Sequence, residues 1–153
     1  MNPIDVSSGL VGLLGLRLDE VTADRVVISW TVTADLHQPY GLLHGGVHCA
    51  VVETAASVGG AAWFGDRGQV VGVSNQTDFF RAVSDGDLVA VATPLHRGRS
   101  QQLWQVEIRD DRDRLVARGQ VRLQNLAAAP DRAQGRFVHT VSLWRPTGDS
   151  WNM

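Results

Sequence analysis

Lysine is absent. All 14 Lys or Arg positions in the 153 residues are arginine, set against 16 acidic residues, for a formal net charge of -2. That near balance leaves no broad basic field to hold nucleic acid or an anionic membrane surface. Cysteine occurs once, at Cys49, which excludes an internal disulfide and a multi-cysteine metal site. No uninterrupted apolar run approaches the ~20 residues that a membrane-spanning helix needs. Met1 to Leu16 carries no basic segment ahead of a long apolar one. No secretory signal is therefore expected, and a cytoplasmic protein is the default.

The residues present describe an ordinary globular chain. Hydrophobic residues make up 44% and charged ones 20%, and the length fits one domain. Ser7 or Ser8 can cap a short helix through Leu14, with Gly15 placed to end it. From Arg25 to Thr33, Val26, Ile28, Trp30 and Val32 alternate with more polar neighbours, the pattern of a strand with one buried face. Leu36 to Gly45 holds Pro39, Gly41 and Gly45 and reads as a loop. From Gly46 to about Trp63, apolar and small residues recur at helical spacing all round, which predicts one long helix wrapped by other elements. Gly59 and Gly60 would let another backbone come close to it.

Four extended segments follow, at 70–80, 87–95, 101–109 and 114–124. Turns are expected at Asp85-Gly86 and Asp110 to Asp113. One long helix followed by antiparallel strands is an α+β layout. Leu126 to Gly135 reads as a linker, and Phe137 to Trp144 as one more strand or a docking segment.

The chemistry gathers between Gln38 and Ser57. Glu53 is the only carboxylate between Asp35 and Asp66, and it sits in the middle of an apolar helix. A bland account is an exposed stripe or an arginine partner, since an unpaired buried charge is costly. Gly45 and Gly46 point elsewhere. They begin the helix, where backbone N–H groups lack intrahelical partners and the helix dipole is positive. Without side chains they admit a carbonyl oxygen, as an oxyanion site requires. Gly46 and Glu53 lie almost two turns apart on one helix face, and Ser57 follows one turn later. Gln38 and His44 stand just upstream.

The run His44-Gly45-Gly46-Val47, then Glu53, then Ser57, resembles the signature of the hotdog-fold thioesterases. It is most similar to the group that holds the phenylacetate-pathway thioesterases and one type of 4-hydroxybenzoyl-CoA thioesterase. The resemblance implies a hotdog fold, a curled antiparallel sheet around one long central helix. It implies hydrolysis of acyl-CoA thioesters. Gln38 would orient the thioester carbonyl, and the Gly45 N–H would polarise it. His44 would support the loop, and Glu53 would act as nucleophile or general base. Ser57 would position a water or the carboxylate. Substrate and CoA contacts would come from Gly46, Asn75 and the segment His96, Arg97, Gly98, Arg99 and Ser100. Arg97 and Arg99 suit phosphate through forked hydrogen bonds. No cofactor is implied beyond the CoA of the substrate. Homodimers joined edge to edge, with each site shared between subunits, are implied, and tetramers as dimers of dimers. The similarity runs from about Gly12 to Leu123. Residues 1–125 are thus assigned to the domain and 126–153 to a C-terminal extension with no assigned role.

Other readings compete at single residues. His37, His44 and His48 as metal ligands have only rough spacing in their favour, so no metal site is assigned. Cys49 reads as a small core residue rather than a nucleophile. A hotdog 3-hydroxyacyl-thioester dehydratase or hydratase would pair His44 with Glu53 as acid and base. A non-catalytic acyl-CoA-binding module remains the third alternative.

Overall fold

A computed structural model of the chain describes residues 8–128. The alternation of Val26, Ile28 and Trp30 becomes β2 (Val26–Thr31), and all three side chains are fully buried. Before it come a short α1 (Gly9–Leu13) and β1 (Arg17–Val21), the partner strand of a hairpin. Ser8 stands at the α1 N-cap, and Gly15 takes a left-handed φ of 64° just beyond its end. Ser7 lies outside the described residues. The long helix α2 spans Gly45–Phe64, one residue beyond the sequence estimate at each end. The remaining strands are β3 (Gly68–Phe79), β4 (Asp87–Arg97), β5 (Gln101–Asp110) and β6 (Leu115–Ala127).

All six strands form one antiparallel sheet in the order β1-β2-β4-β5-β6-β3. α2 touches every strand, so the sheet curls round it in the hotdog arrangement. This is why α2 is apolar on all sides. Val47, Val51, Val52, Ala55, Ala56 and Val58 are all buried. They face Ile28 and Trp30 of β2, Leu88, Ala90 and Ala92 of β4, Trp104, Val106 and Ile108 of β5, and Val121 and Leu123 of β6, within one core. Each large aliphatic or aromatic side chain so buried contributes about 1.5–3 kcal/mol.

Two details differ from expectation. Gly59 and Gly60 admit side chains rather than a backbone: a methyl at Gly59 would overlap the Trp104 ring, and one at Gly60 would overlap Leu123. β6 runs to Ala127, so the first residues expected as a linker continue the strand. The suggested strand at Phe137 to Trp144 lies outside the described residues.

A buried polar network ties the last turns of α2 to the β4–β5 turn. Gln102, 1% exposed, donates to the Gly60 carbonyl and to Asn125 Oδ1, and its own oxygen accepts from Trp104 Nε1 at 2.8 Å. Asn125 in turn donates to the carbonyls of Gly98 and Arg99. In low dielectric such a network stiffens what it joins, because each unmet group would be costly.

Candidate active site

The loop before α2 is tied down by its own backbone. Gln38 N–H donates to the Leu42 carbonyl at 2.7 Å, and His37 pairs with Leu43 in an isolated bridge. His44 is then the N-cap residue of α2. Its Nδ1 accepts from the Gly46 N–H at 2.8 Å, and its carbonyl accepts from Val47 N–H. The imidazole proton must therefore sit on Nε2. His44 thus caps the helix start. The Gly46 N–H is committed to it, and Gly46 has no amide to offer an oxyanion in this arrangement. The Gly45 N–H has no acceptor among the described residues. Gly45 is pressed on Phe79, whose ring occupies the space a methyl there would need.

Glu53 lies on the β3 side of α2, half-buried. Its Oε2 accepts from Asn75 Nδ2 at 3.1 Å, and the same nitrogen donates to the Cys49 carbonyl at 3.0 Å. Thr77 Oγ1 donates to Asn75 Oδ1 at 2.7 Å. Gly72 faces the carboxylate so closely that any side chain there would overlap Glu53 Oε1. Ser57, one turn on, makes no hydrogen bond to Glu53 among the described residues; Asn75 holds that place. Thr77 and Gly72 were not singled out from sequence. A glycine inside a strand pattern is the available signal for Gly72; for Thr77 nothing local distinguishes it.

A cavity of about 380 Å³ opens at the helix start, lined by Gln38, Gly45, His48, Phe79 and Arg81 among others. Gln38 Oε1 accepts from the Tyr40 N–H. His48, 4% exposed, has an Nδ1 with no partner among the described residues, and burial pushes its imidazole down to about 4. Its ring stands 5.7 Å from that of Phe79. Glu53 is not part of this cavity. It is eight helix positions from Gly45, about 12 Å along the axis. The strand gives a second ruler. Gly45 meets Phe79 whereas Glu53 meets Asn75, and those four residues of strand span about 13 Å.

The segment His96 to Ser100 lies at the far end of β4 and in its turn to β5. Arg97 is engaged within the fold. It donates to the Ala23 carbonyl, pairs with Asp24 at 2.9 Å, and its guanidinium stands 5.5 Å from the Trp63 ring centroid. His96, Arg99 and Ser100 are exposed. The histidines considered as metal ligands are apart in purpose. His37 Nε2 meets the Ser84 carbonyl, His44 caps α2 and His48 is buried. Among the described residues no three His, Cys, Asp or Glu side chains gather so as to hold a metal ion.

With this geometry in hand, the family model of the thioesterase superfamily matches residues 40–117, the stretch from the loop before α2 into β6. The chain belongs to the thioesterase superfamily. A Mycobacterium tuberculosis protein named only as a candidate esterase is 50% identical over 131 residues, 84% of this chain and 94% of that one. The 1,4-dihydroxy-2-naphthoyl-CoA hydrolase of Escherichia coli is 34% identical over 106 residues, 69% of this chain and 78% of that protein. The crystal structure of AziG of S. sahachiroi superposes with a TM-score of 0.78 at 56% identity, covering 79% of this chain and 98% of that one. As a superfamily member the chain is a thioester hydrolase, built on the hotdog fold. No helix among the described residues is long and apolar enough to cross a membrane.

Proposed function

We propose that this thioesterase hydrolyses acyl-CoA thioesters in the cytoplasm, with Glu53 as nucleophile or general base. The observation that carries the reading is the pairing of an oriented carboxylate with an unclaimed helix-start amide. Glu53 is held by Asn75 on the inner face of the sheet, and among the described residues the Gly45 N–H is left without an acceptor beside a cavity. A thioester carbonyl bound at that amide gains stabilisation as its oxygen becomes charged. Gln38, on the cavity wall, orients the same carbonyl. Attack by Glu53, or by a water from which Glu53 takes a proton, gives a tetrahedral centre that expels the CoA thiolate; on the direct route water then cleaves the mixed anhydride left on Glu53, releasing the acid and restoring the carboxylate.

Two copies of the chain serve each site. The separation of about 12 Å between Gly45 and Glu53 supports this, since reacting atoms must approach to about 3–3.5 Å. β3 supports it too. Among the described residues it pairs with β6 on one side only, and Val71 and Val73 stand exposed along it. A long unpaired edge of this kind invites a second strand. Across a two-fold axis the Glu53 of one copy would face the Gly45 of the other, and two such dimers would form a tetramer. The CoA phosphates fall to the β4–β5 turn, chiefly to the exposed Arg99 with Gly98, Ser100 and His96, while Arg97 braces that turn against Asp24. CoA arrives with the substrate and no further cofactor is invoked. A dehydratase would need His44 paired with Glu53, but His44 is turned to Gly46.

The deciding experiment follows thiol release from a panel of acyl-CoAs by wild type and Glu53→Gln. Turnover that collapses in the variant supports the reading. A fully active Glu53→Gln would sink it. Shared sites are tested by coexpressing Glu53→Gln with Gln38→Ala. Random pairing leaves about a quarter of sites intact, so activity should return to about that share of wild type. Recovery of none would place all the groups in one copy.

A further inference from the structure

We propose that Asn75, braced by the Thr77 hydroxyl, is the positioning residue for Glu53, leaving Oε1 as the carboxylate oxygen that does chemistry. The inference rests on the reading of Glu53 as the catalytic carboxylate.

The arrangement begins with the backbone of β3. Gly72 and Asn75 are three residues apart, and in a regular strand an odd spacing points two residues to opposite faces. The ladder with β6 slips between Gly72 and Ser74, so Val73 is one residue too many. That bulge restores the phase. Gly72, Asn75 and Thr77 then stand opposite Leu123, Val121 and Gly119 of β6. The three partners are buried, on the side that faces α2. The result is a short inner face that carries, in order, a gap, an amide and a hydroxyl.

Each part meets a different demand of the carboxylate. The amide of Asn75 has two N–H donors and one oxygen. Its nitrogen serves Cys49 O at 3.0 Å and Glu53 Oε2 at 3.1 Å. Its oxygen takes the Thr77 hydroxyl at 2.7 Å. If the amide turned over, its oxygen would face two acceptors, which fixes the nitrogen toward Cys49 O and Glu53 Oε2. Thr77 braces the opposite end of the amide through its hydroxyl and so holds the plane of Asn75 against the carboxylate. Because the acceptor is ionised, this bond is stronger than one between neutral groups. Oε2 is held by it, whereas Oε1 rests over Gly72 and accepts no hydrogen bond among the described residues. A carboxylate with one oxygen fixed and one unclaimed presents a defined lone pair.

The test compares two near-equal substitutions. Thr77→Val keeps the volume and removes the hydroxyl; Thr77→Ser keeps the hydroxyl and removes the methyl. Two readouts apply to both. The first is kcat and KM on the best acyl-CoA of the panel. The second needs no substrate. Glutamate occurs only at 20, 53 and 107, so protein labelled with carbon-13 in the glutamate carboxyl yields three side-chain lines. Glu53 is identified by its loss in Glu53→Gln.

Positioning through the hydroxyl predicts that Thr77→Val moves the Glu53 line. It also predicts a fall in kcat of about tenfold, equivalent to about 1.4 kcal/mol, with KM within about twofold. Thr77→Ser should match wild type in both. A packing role predicts the reverse order, with the serine variant worse. Asn75→Asp, the same shape with no donor, should lose at least as much as Thr77→Val. A Glu53 line and a kcat unchanged in Thr77→Val would overturn the proposal while leaving the thioesterase reading intact. If wild type turned over no thioester, that reading would fail, and the carboxyl line would still decide the positioning.

Discussion

The carboxylate of Glu53 occupies the space where any side chain at residue 72 would begin. Glycine on β3 is therefore what lets α2 bring its one carboxylate against the sheet. Gly72→Ala should fold, because Glu53 is a flexible side chain and can swing away. Displacement by an ångström or so at a reacting group costs about a hundredfold in rate. The expected outcome is a kcat lower by about that factor with an unchanged thermal midpoint, measured on the best acyl-CoA alongside a melting curve. Wild-type turnover in Gly72→Ala would show that the carboxylate tolerates another position.

His44 makes a prediction that separates stability from turnover. Its Nδ1 caps α2 through Gly46, and loss of a side-chain cap costs about 1 kcal/mol. His44→Ala should be destabilised by about that amount in urea. Asparagine is a good capping residue, so His44→Asn should recover the stability. If it also recovers turnover, His44 acts only by holding the helix start.

His48 makes stability depend on pH. Burial holds its imidazole neutral down to about 4, against 6.5 in the unfolded chain. Above pH 6.5 neither state binds the proton. Between 6.5 and about 4 only the unfolded chain does, so stability is lost as the pH falls through that window and levels off below it. The limit of the loss is about 3 kcal/mol. His48→Phe keeps a ring and removes the titration. Its urea midpoint, compared with wild type from pH 7 to pH 4, should show a flatter profile. Parallel profiles would assign the acid sensitivity to other groups.

Gln102 holds the network beneath the β4–β5 turn. Gln102→Leu would strand Trp104 Nε1 and Asn125 Oδ1 in the interior. Leaving buried polar groups unmet costs about 1–3 kcal/mol each. A stability loss of about 2–4 kcal/mol in denaturant, with an unchanged slope, is expected. Because Asn125 also holds the carbonyls of Gly98 and Arg99, KM for acyl-CoA should rise more than kcat falls. A variant as stable as wild type would show that the interior readily rehydrates or repacks at this point.

Much of the fold could be read along the chain because its signals are periodic. The alternation at Val26, Ile28 and Trp30 and the all-round apolar pattern from Gly46 to Trp63 each survive as an element with nearly the expected ends. β1 was less legible. Arg17 to Val21 is short and largely exposed, and it becomes a strand by pairing with β2. β4 outran its expected end at Leu95 because the chain absorbs Pro94, which has no N–H for the ladder, with a register shift before His96.

At the candidate site the roles follow the same division. His44, Gly45 and Glu53 are local to one helix, so their spacing alone relates them. Asn75 and Thr77 act on Glu53 from 22 and 24 positions away, and no pattern in the chain announces that approach. The sequence by itself determined that one helix would carry one carboxylate behind two glycines, since helical spacing is a property of neighbours. Only the tertiary structure decided which amide grips that carboxylate, and which N–H of the two glycines stays unclaimed. The first depends on a bulge at Val73 that sets the phase of β3 against α2. The second depends on the His44 side chain turning back to one amide rather than the other. Both are choices among contacts distant in sequence or equal in spacing, and packing, not periodicity, makes them.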